Sequence, residues 1–228
     1  MGNGPPAADA SPAAFRLKDC ALLSLATGVR AQSLKELRDG LLAVPESSLY
    51  HHFWGRLLRP RFDEPEYNND FATWVHRALH EKGLAERLSM VIPADFRDLE
   101  QVRQEVVELV EQRLDESEWN PWARADAQFH FLRARMVIFD TGSSVGSPEE
   151  LARVLPNLPT GSVYYHFIDA RRRTEGHTDD FSAWLAGWGG PCAGLRDELS
   201  GFDPYFSSLK EIRRQLVEVF VAHLGQEG

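Results

Sequence analysis

The sequence predicts an all-α fold made of two tandem homologous helical bundles, with about six helices in each, related by an internal duplication. The main support is a repeated set of motifs. Ser-Leu-Tyr-His-His-Phe at 48–53 returns as Ser-Val-Tyr-Tyr-His-Phe at 162–167. Asn-Asp-Phe-Ala-Thr-Trp at 69–74 returns as Asp-Asp-Phe-Ser-Ala-Trp at 179–184. Helical spacing of apolar residues and paired capping signals also support this fold class.

The repeat also sets the expected domain boundaries. Each copy spans about 100 residues, a normal size for one hydrophobic core. We expect a flexible tail over residues 1–14, helical repeat 1 over 15–114, a linker over 115–128 and helical repeat 2 over 129–224.

Each copy opens with a segment that we interpret as a helix, over 15–26 and 129–140. Gly28 and Gly142 follow these segments, and a glycine just past a helix closes it in the left-handed conformation. The stretch 136–139 alone resembles a strand, but its counterpart in the first copy favours a helix. The prediction is therefore helix in both copies.

The second helix of each copy begins with a capping box. Ser33 with Glu36, and Ser147 with Glu150, place a hydroxyl at the cap and a carboxylate three residues later. Pro148 occupies the first helical position, where its missing N–H costs nothing.

Four further helices complete each copy. The third carries the Tyr-x-His-Phe motif, the fourth begins at Asp70 or Asp180, and a short fifth follows. The last is the clearest amphipathic helix, because its apolar residues recur at spacings of three and four. These residues are Leu99, Val102, Val106 and Leu109 in the first copy and Leu209, Ile212, Leu216 and Val219 in the second.

Composition restricts the classes of function. The net charge of −9 argues against a nucleic-acid partner, since neutralising phosphates needs a basic surface. No apolar run approaches the ~18 residues of a membrane helix, so we expect no membrane partner. The two cysteines, Cys20 and Cys192, do not occupy matching positions and form neither a disulfide framework nor a metal motif. This usage indicates a reducing, cytoplasmic location.

A candidate polar cluster recurs in both copies, and two interpretations of it stay open. It consists of His52, Arg59 and Asp70 in the first copy and His166, Arg173 and Asp180 in the second. In the catalytic interpretation the aspartate orients the histidine as a general base and the arginine binds a carboxylate or phosphate. In the structural interpretation the aspartate caps its helix, the histidine donates to a backbone carbonyl and the arginine closes a salt bridge. We favour the structural interpretation, because a requirement of the fold would fill both copies identically.

His76 and His80 are four residues apart on a predicted helix, a spacing that can chelate a metal. The second copy has Ala186 and Gly190 at the matching positions, and no third ligand is evident. We therefore predict no metal and no cofactor.

The repeated segments resemble those of one prokaryotic family, the domain of unknown function fifty-seven fifty-two. The resemblance is carried by Phe15 to Cys20, Ser48 to Phe53, Asn69 to Trp74, Phe129 to Gly142 and Asp179 to Trp188. It implies no activity, cofactor or substrate, so no catalytic residue is transferred from it.

The leading functional hypothesis is a non-enzymatic cytoplasmic binding, scaffolding or regulatory protein. It would hold a partner protein or a small acidic ligand in the groove between its two domains. The rival hypothesis is a hydrolase or transferase in which His52 with Asp70, or His166 with Asp180, works as a general base.

Overall fold

The computed structural model describes residues 12–58, 66–116, 124–202 and 207–225. Two long strands and a series of mostly short helices make up these residues. In chain order they are β1 (Phe15–Ala31), α1 (Leu34–Ala43), α2 (Glu46–Trp54), α3 (Asp70–Leu79), α4 (Lys82–Ser89), α5 (Leu99–Glu116), β2 (Phe129–Val145), α6 (Pro148–Val154), α7 (Thr160–Val163), α8 (Ala170–Arg173), α9 (Asp180–Leu185), α10 (Ala193–Ser200) and α11 (Leu209–Leu224). A π-helical turn, Tyr164–Asp169, joins α7 to α8.

The all-α prediction is wrong. The segments 15–26 and 129–140, interpreted as helices, lie in β1 and β2, which pair as a two-stranded antiparallel sheet. The fold is therefore mixed α/β, and not two six-helix bundles. Long-range contacts decide the conformation of these segments, and local helix propensity is a weak determinant that such contacts override.

Two matched threonines fasten the strands to each other. Thr27 Oγ1 donates a hydrogen bond to the carbonyl of Phe131 at 2.6 Å, and Thr141 Oγ1 donates to the carbonyl of Leu17 at 2.6 Å. The partners lie more than a hundred residues apart in sequence, at 104 and 124 residues. No local pattern could therefore have indicated this pairing.

Gly28 and Gly142 have the positive φ that the sequence predicts, but inside strands and not after helices. Their φ angles are 84° and 70°. In both strands the preceding threonine hydroxyl accepts a hydrogen bond from the N–H of the residue after the glycine. Each strand therefore has a local bend that glycine adopts without steric cost.

The chain divides into two compact units. The α1–α5 unit comprises Cys20–Ile138 and Tyr205–Leu209. The α6–α11 unit comprises Met1–Asp19, Phe139–Pro204 and Lys210–Gly228. Each unit thus contains one end of each strand, while the repeat boundaries drawn at 15–114 and 129–224 stay a prediction.

Each unit has its own apolar core, and the serine of each predicted capping box caps its helix. The α1–α5 core includes the fully buried Leu37, Leu41, Leu49, Phe71, Leu84, Val106 and Phe131. The α6–α11 core includes the fully buried Leu151, Tyr164, Phe167, Phe181, Leu195, Ile212 and Phe220. The hydroxyls of Ser33 and Ser147 accept the N–H of the glutamate three residues later, so α1 and α6 begin where the sequence predicts.

None of the helices described in this structure is long and apolar enough to cross a membrane.

Candidate functional site

His52 of α2 lies at the centre of a polar site in the α1–α5 unit, and both of its ring nitrogens form hydrogen bonds there. Its side chain is buried, and its Nδ1 lies 3.0 Å from Oδ2 of Asp70. Its Nε2 accepts a hydrogen bond from the backbone N–H of Leu132 on β2 at 3.1 Å. Both ring nitrogens therefore have a partner.

These partners fix the protonation of the ring. A nitrogen that accepts a hydrogen bond from an N–H carries no proton of its own. The neutral His52 ring therefore keeps its single proton on Nδ1, which donates to the Asp70 carboxylate. The bond to the backbone is opposite in direction to the one expected from sequence, since the histidine accepts from an N–H and does not donate to a carbonyl.

His166 repeats this arrangement in the α6–α11 unit. It lies in the π-helical turn, only 2% exposed, with Nδ1 at 2.8 Å from Oδ2 of Asp180. Its Nε2 accepts from the backbone N–H of Lys18 on β1 at 2.9 Å. By the same reasoning its proton lies on Nδ1.

A tryptophan holds the chain just before each of these strands. Trp74 Nε1 donates to the carbonyl of Ala127 at 2.7 Å, and Trp184 Nε1 donates to the carbonyl of Ala13 at 2.8 Å. We term the two sites the His52 clamp (His52, Asp70 and Trp74 around residues 127–132) and the His166 clamp (His166, Asp180 and Trp184 around residues 13–18).

A phenylalanine from the strand fills the middle of each clamp. The ring of Phe129 lies 4.8 Å from that of His52 between centroids, and 5.5 Å from that of Trp74. The ring of Phe15 lies 4.9 Å from that of His166 and 5.5 Å from that of Trp184. Each clamp therefore holds an extended segment by two backbone groups and one aromatic side chain.

The starts of α3 and α9 position Asp70 and Asp180. Contrary to the structural interpretation, these two residues do not cap the helices, because the residue before each of them is the cap. Asn69 caps α3 through the N–H of Ala72 at 2.9 Å, and Asp179 caps α9 through the N–H of Ser182 at 2.8 Å. Asp70 is consequently the first residue of α3, and its carboxylate lies beside His52.

The arginine predicted in the second cluster joins the site and pairs there with two carboxylates. Arg173 donates to Asp180 at 2.7 Å and to Asp169 at 3.0 Å. Its guanidinium also lies 4.0 Å from the centre of the Tyr165 ring. Arg59, predicted at the matching position of the first cluster, lies outside the described residues.

Burial and hydrogen bonding shift two neighbouring carboxyl groups in opposite directions. Burial favours the neutral form of Asp180, but the hydrogen bonds from His166 and Arg173 outweigh it and lower the pKa of the carboxyl. Burial of Asp179 dominates over the hydrogen bonds from Ser182 and raises the pKa of that carboxyl. Asp180 is therefore held as the charged acceptor of the clamp.

His51, His52 and Asp70 bring three potential metal-ligand atoms within 4.8 Å of one another. A metal on Nδ1 of His52 would move the ring proton to Nε2, where it would face the N–H of Leu132. Two donors would then oppose each other, so the described geometry does not fit a metal.

His76 and His80, the metal pair considered from sequence, have separate partners. Nε2 of His80 lies 2.7 Å from Asp126, whereas Nε2 of His76 lies 3.6 Å from Glu66. His80 ends α3 in the left-handed conformation with a φ of 59°. Among the described residues, the two histidines do not belong to a group of three metal-ligating side chains.

Sequence reasoning missed the strand residues that complete the clamps. The sequence predicts helices for the segments that contain these residues, which are Phe15, Lys18, Phe129 and Leu132. A signal was present, because Ala-x-Phe at 13–15 returns at 127–129 with the same 114-residue offset as the two histidines.

The comparisons with known proteins agree with this architecture. The solved structure of OrfY from Thermoproteus tenax resembles this chain with a TM-score of 0.80 and 28% identity, over 94% of this chain and 98% of that one. No functionally curated protein matches the sequence. The model of a family of unknown function, DUF5752, matches residues 12–221, and the chain therefore belongs to that family.

Proposed function

We propose that the protein is a non-enzymatic binding or scaffolding protein, in which the histidine clamps stabilise the fold. The observation that carries this proposal is the complete engagement of both ring nitrogens of His52 and His166. A general base must offer a nitrogen within hydrogen-bond reach of a substrate proton. In both clamps a backbone N–H occupies the nitrogen that a substrate would need.

The rival, a hydrolase or transferase, makes a different chemical prediction. If either histidine worked as a base, its Nε2 would react with diethylpyrocarbonate in the folded protein. We expect the exposed His80 and His130 to be modified first, and His52 and His166 only after unfolding. Modification sites mapped by mass spectrometry check this, and early modification of His52 or His166 would favour the enzyme.

Both strands expose large apolar side chains, on both faces of β2, that a partner protein would cover. Leu23 of β1 is 48% exposed, and the consecutive Ile138 and Phe139 of β2 are 50% and 48% exposed. Consecutive strand residues point to opposite faces, so solvent reaches both faces of β2 at this point. These exposed apolar side chains favour a protein as the partner. A small acidic ligand is less favoured, because the guanidinium of Arg173 is already paired with two carboxylates.

A comparison of variants tests this surface. Wild-type protein and the variants Ile138→Ser, Phe139→Ser and Met90→Ser would be cross-linked in extracts of the native host. Met90 is 76% exposed on a loop after α4 and serves as the matched control. We expect a partner retained by wild type and Met90→Ser and lost from both strand variants. Equal retention by all four proteins would contradict the proposed surface.

We propose that an internal duplication produced the two clamps and that the protein works in the cytoplasm. The duplication is supported by matched contacts, since the histidine, aspartate, tryptophan and alanine partners of one clamp recur in the other. The location is supported by Cys20 and Cys192, which are both buried and do not form a disulfide with each other. Alkylation of protein isolated from its host without reductant should label both cysteines after unfolding, and a protected cysteine would contradict the location.

A further inference from the structure

We propose that the His166 clamp is a binding site for an extended peptide segment, and that residues 13–18 of a second copy of this chain can occupy it. In the structure the clamp holds residues 13–18 of its own chain. The proposal concerns self-association and does not depend on the partner protein proposed above.

The contacts in the clamp are of the kind that recognise an extended peptide. Trp184 donates to the carbonyl of Ala13, and His166 accepts the N–H of Lys18. The ring of Phe15, 9% exposed, fills the space between them. Backbone bonds give affinity for an extended chain and a side-chain pocket gives selectivity, which is the mode by which domains bind a strand in trans.

The His166 clamp lacks a hydrogen bond that the His52 clamp makes. Ser48 Oγ donates to the carbonyl of Leu132 at 2.7 Å. The matching hydroxyl, Ser162 Oγ, is fully buried and has no hydrogen-bond partner among the residues that the structure describes. A buried hydroxyl without a partner carries a desolvation cost. The segment 13–18 is therefore held less firmly than the segment 127–132.

The residue that precedes each segment also indicates that residues 13–18 are held less firmly than residues 127–132. Before residues 127–132, the N–H of Asp126 donates to the carbonyl of Ala78 at 2.9 Å. The residue at the matching position before residues 13–18 is Pro12, which has no N–H to donate. The structure therefore points to residues 13–18 as the more exchangeable of the two segments.

Charge favours a second copy as the occupant. The segment carries Arg16 and Lys18 and no acidic residue, in a chain whose net charge is −9. Close approach of two acidic copies is opposed by their overall charge, and a basic segment reduces that repulsion where the copies meet. Lys18 Nζ already lies 5.9 Å from the centre of the Tyr165 ring within the clamp.

Occupation by the chain's own segment competes with occupation by another copy. The same contacts form in both cases, so the balance depends on the effective concentration of the attached segment against the protein concentration. Weakening the attached segment while keeping the clamp intact should therefore shift the balance towards a second copy.

Two full-length variants test this by complementation. Phe15→Ala impairs the segment and keeps the clamp, whereas Trp184→Ala impairs the clamp and keeps the segment. When they are mixed, the intact segment of the second variant should enter the intact clamp of the first. We expect a heterodimer in native mass spectrometry at a level at least about tenfold above the homodimer of either variant alone. Folded variants, verified by circular dichroism, that form no heterodimer would overturn the proposal.

A labelled peptide provides a second test that does not require both variants to fold. The peptide has the sequence of residues 12–19, and its control has alanine in place of the phenylalanine. We expect the peptide to bind the wild-type chain weakly and the Phe15→Ala chain at least about tenfold more tightly, with the control peptide binding neither. If the peptide fails to bind the wild-type chain at millimolar concentration, or binds no better than its control, the site is not a peptide site.

Discussion

Leu132 and His52 are 80 residues apart in sequence, yet the N–H of Leu132 donates to Nε2 of His52 at 3.1 Å. The carbonyl of the same leucine accepts from Ser48 Oγ at 2.7 Å. Both backbone groups of Leu132 are thus satisfied by side chains of α2, where a wider sheet would supply another strand. Unpaired strand edges favour association with other chains, so the clamp also protects part of this edge.

Replacing His52 by alanine should destabilise the protein by about 3 kcal/mol. The change leaves the N–H of Leu132 without its acceptor, removes the partner of Asp70 and opens a cavity. Urea denaturation followed by tryptophan fluorescence measures the free energy of unfolding. His130→Ala, at an exposed position on β2, is the control and should change stability by less than about 0.5 kcal/mol. Equal effects of the two substitutions would contradict the role of the clamp.

Asp180→Asn should change the pH dependence of stability. The pKa of the Asp180 carboxyl is lowered from its ordinary value of 3.8, so the folded state binds its proton less readily than the unfolded state. The stabilisation is therefore complete above pH 3.8 and is lost as the pH falls through the folded-state pKa. We expect wild type to exceed the variant in stability at pH 7, with the difference shrinking in acid. Urea titrations from neutral to acid pH measure it, and a constant difference would refute this prediction.

Asp179→Asn should have the opposite effect and stabilise the protein at neutral pH. Burial raises the pKa of the Asp179 carboxyl, so its ionised form is disfavoured in the folded protein at neutral pH. Asn69 fills the matching position and caps α3, which indicates that an asparagine can cap α9 as well. We expect a gain of about 1 kcal/mol at pH 7, or about 2–4 °C in Tm. The gain should disappear below the raised pKa, where Asp179 is protonated. A loss of stability at pH 7 would contradict the sign.

Gly28→Ala and Gly142→Ala should each cost about 1–2 kcal/mol. An alanine side chain meets no atom within 4 Å at either position, so the cost arises from the positive φ alone. Gly83 in α4 is the matched control, because it also has open space around it but no positive φ. Gly83→Ala should stabilise the protein by about 0.5–1 kcal/mol. Thermal unfolding of the three variants tests this, and equal shifts at all three positions would contradict the backbone argument.

Helix starts and buried helix faces could be predicted from the sequence because they depend on neighbouring residues. Ser33 and Ser147 cap α1 and α6, and α3 begins at Asp70. The proximity of Asp70 to His52 could also be anticipated, since the two helices are consecutive in the chain.

The strands could not be predicted in the same way. The leucine-rich part of β1 favours a helix locally, and its partner strand begins 98 residues after β1 ends. The acceptor role of His52 depends on that strand, so it was beyond the sequence as well. The repeated Ala-x-Phe marks the segment that each clamp holds. The repeat alone does not show that this segment is extended, because that depends on its contacts with the histidine and the tryptophan of the clamp.

The protonation of the two buried histidine rings tests the central claim most directly. Long-range ¹H–¹⁵N correlation spectra at pH 7 report which ring nitrogen carries the proton and whether the other accepts a hydrogen bond. We predict a protonated Nδ1 and an unprotonated, hydrogen-bonded Nε2 for both His52 and His166, with couplings to the amides of Leu132 and Lys18. A proton on Nε2 of either ring, or an Nε2 that exchanges freely with solvent, would contradict the account of the clamps.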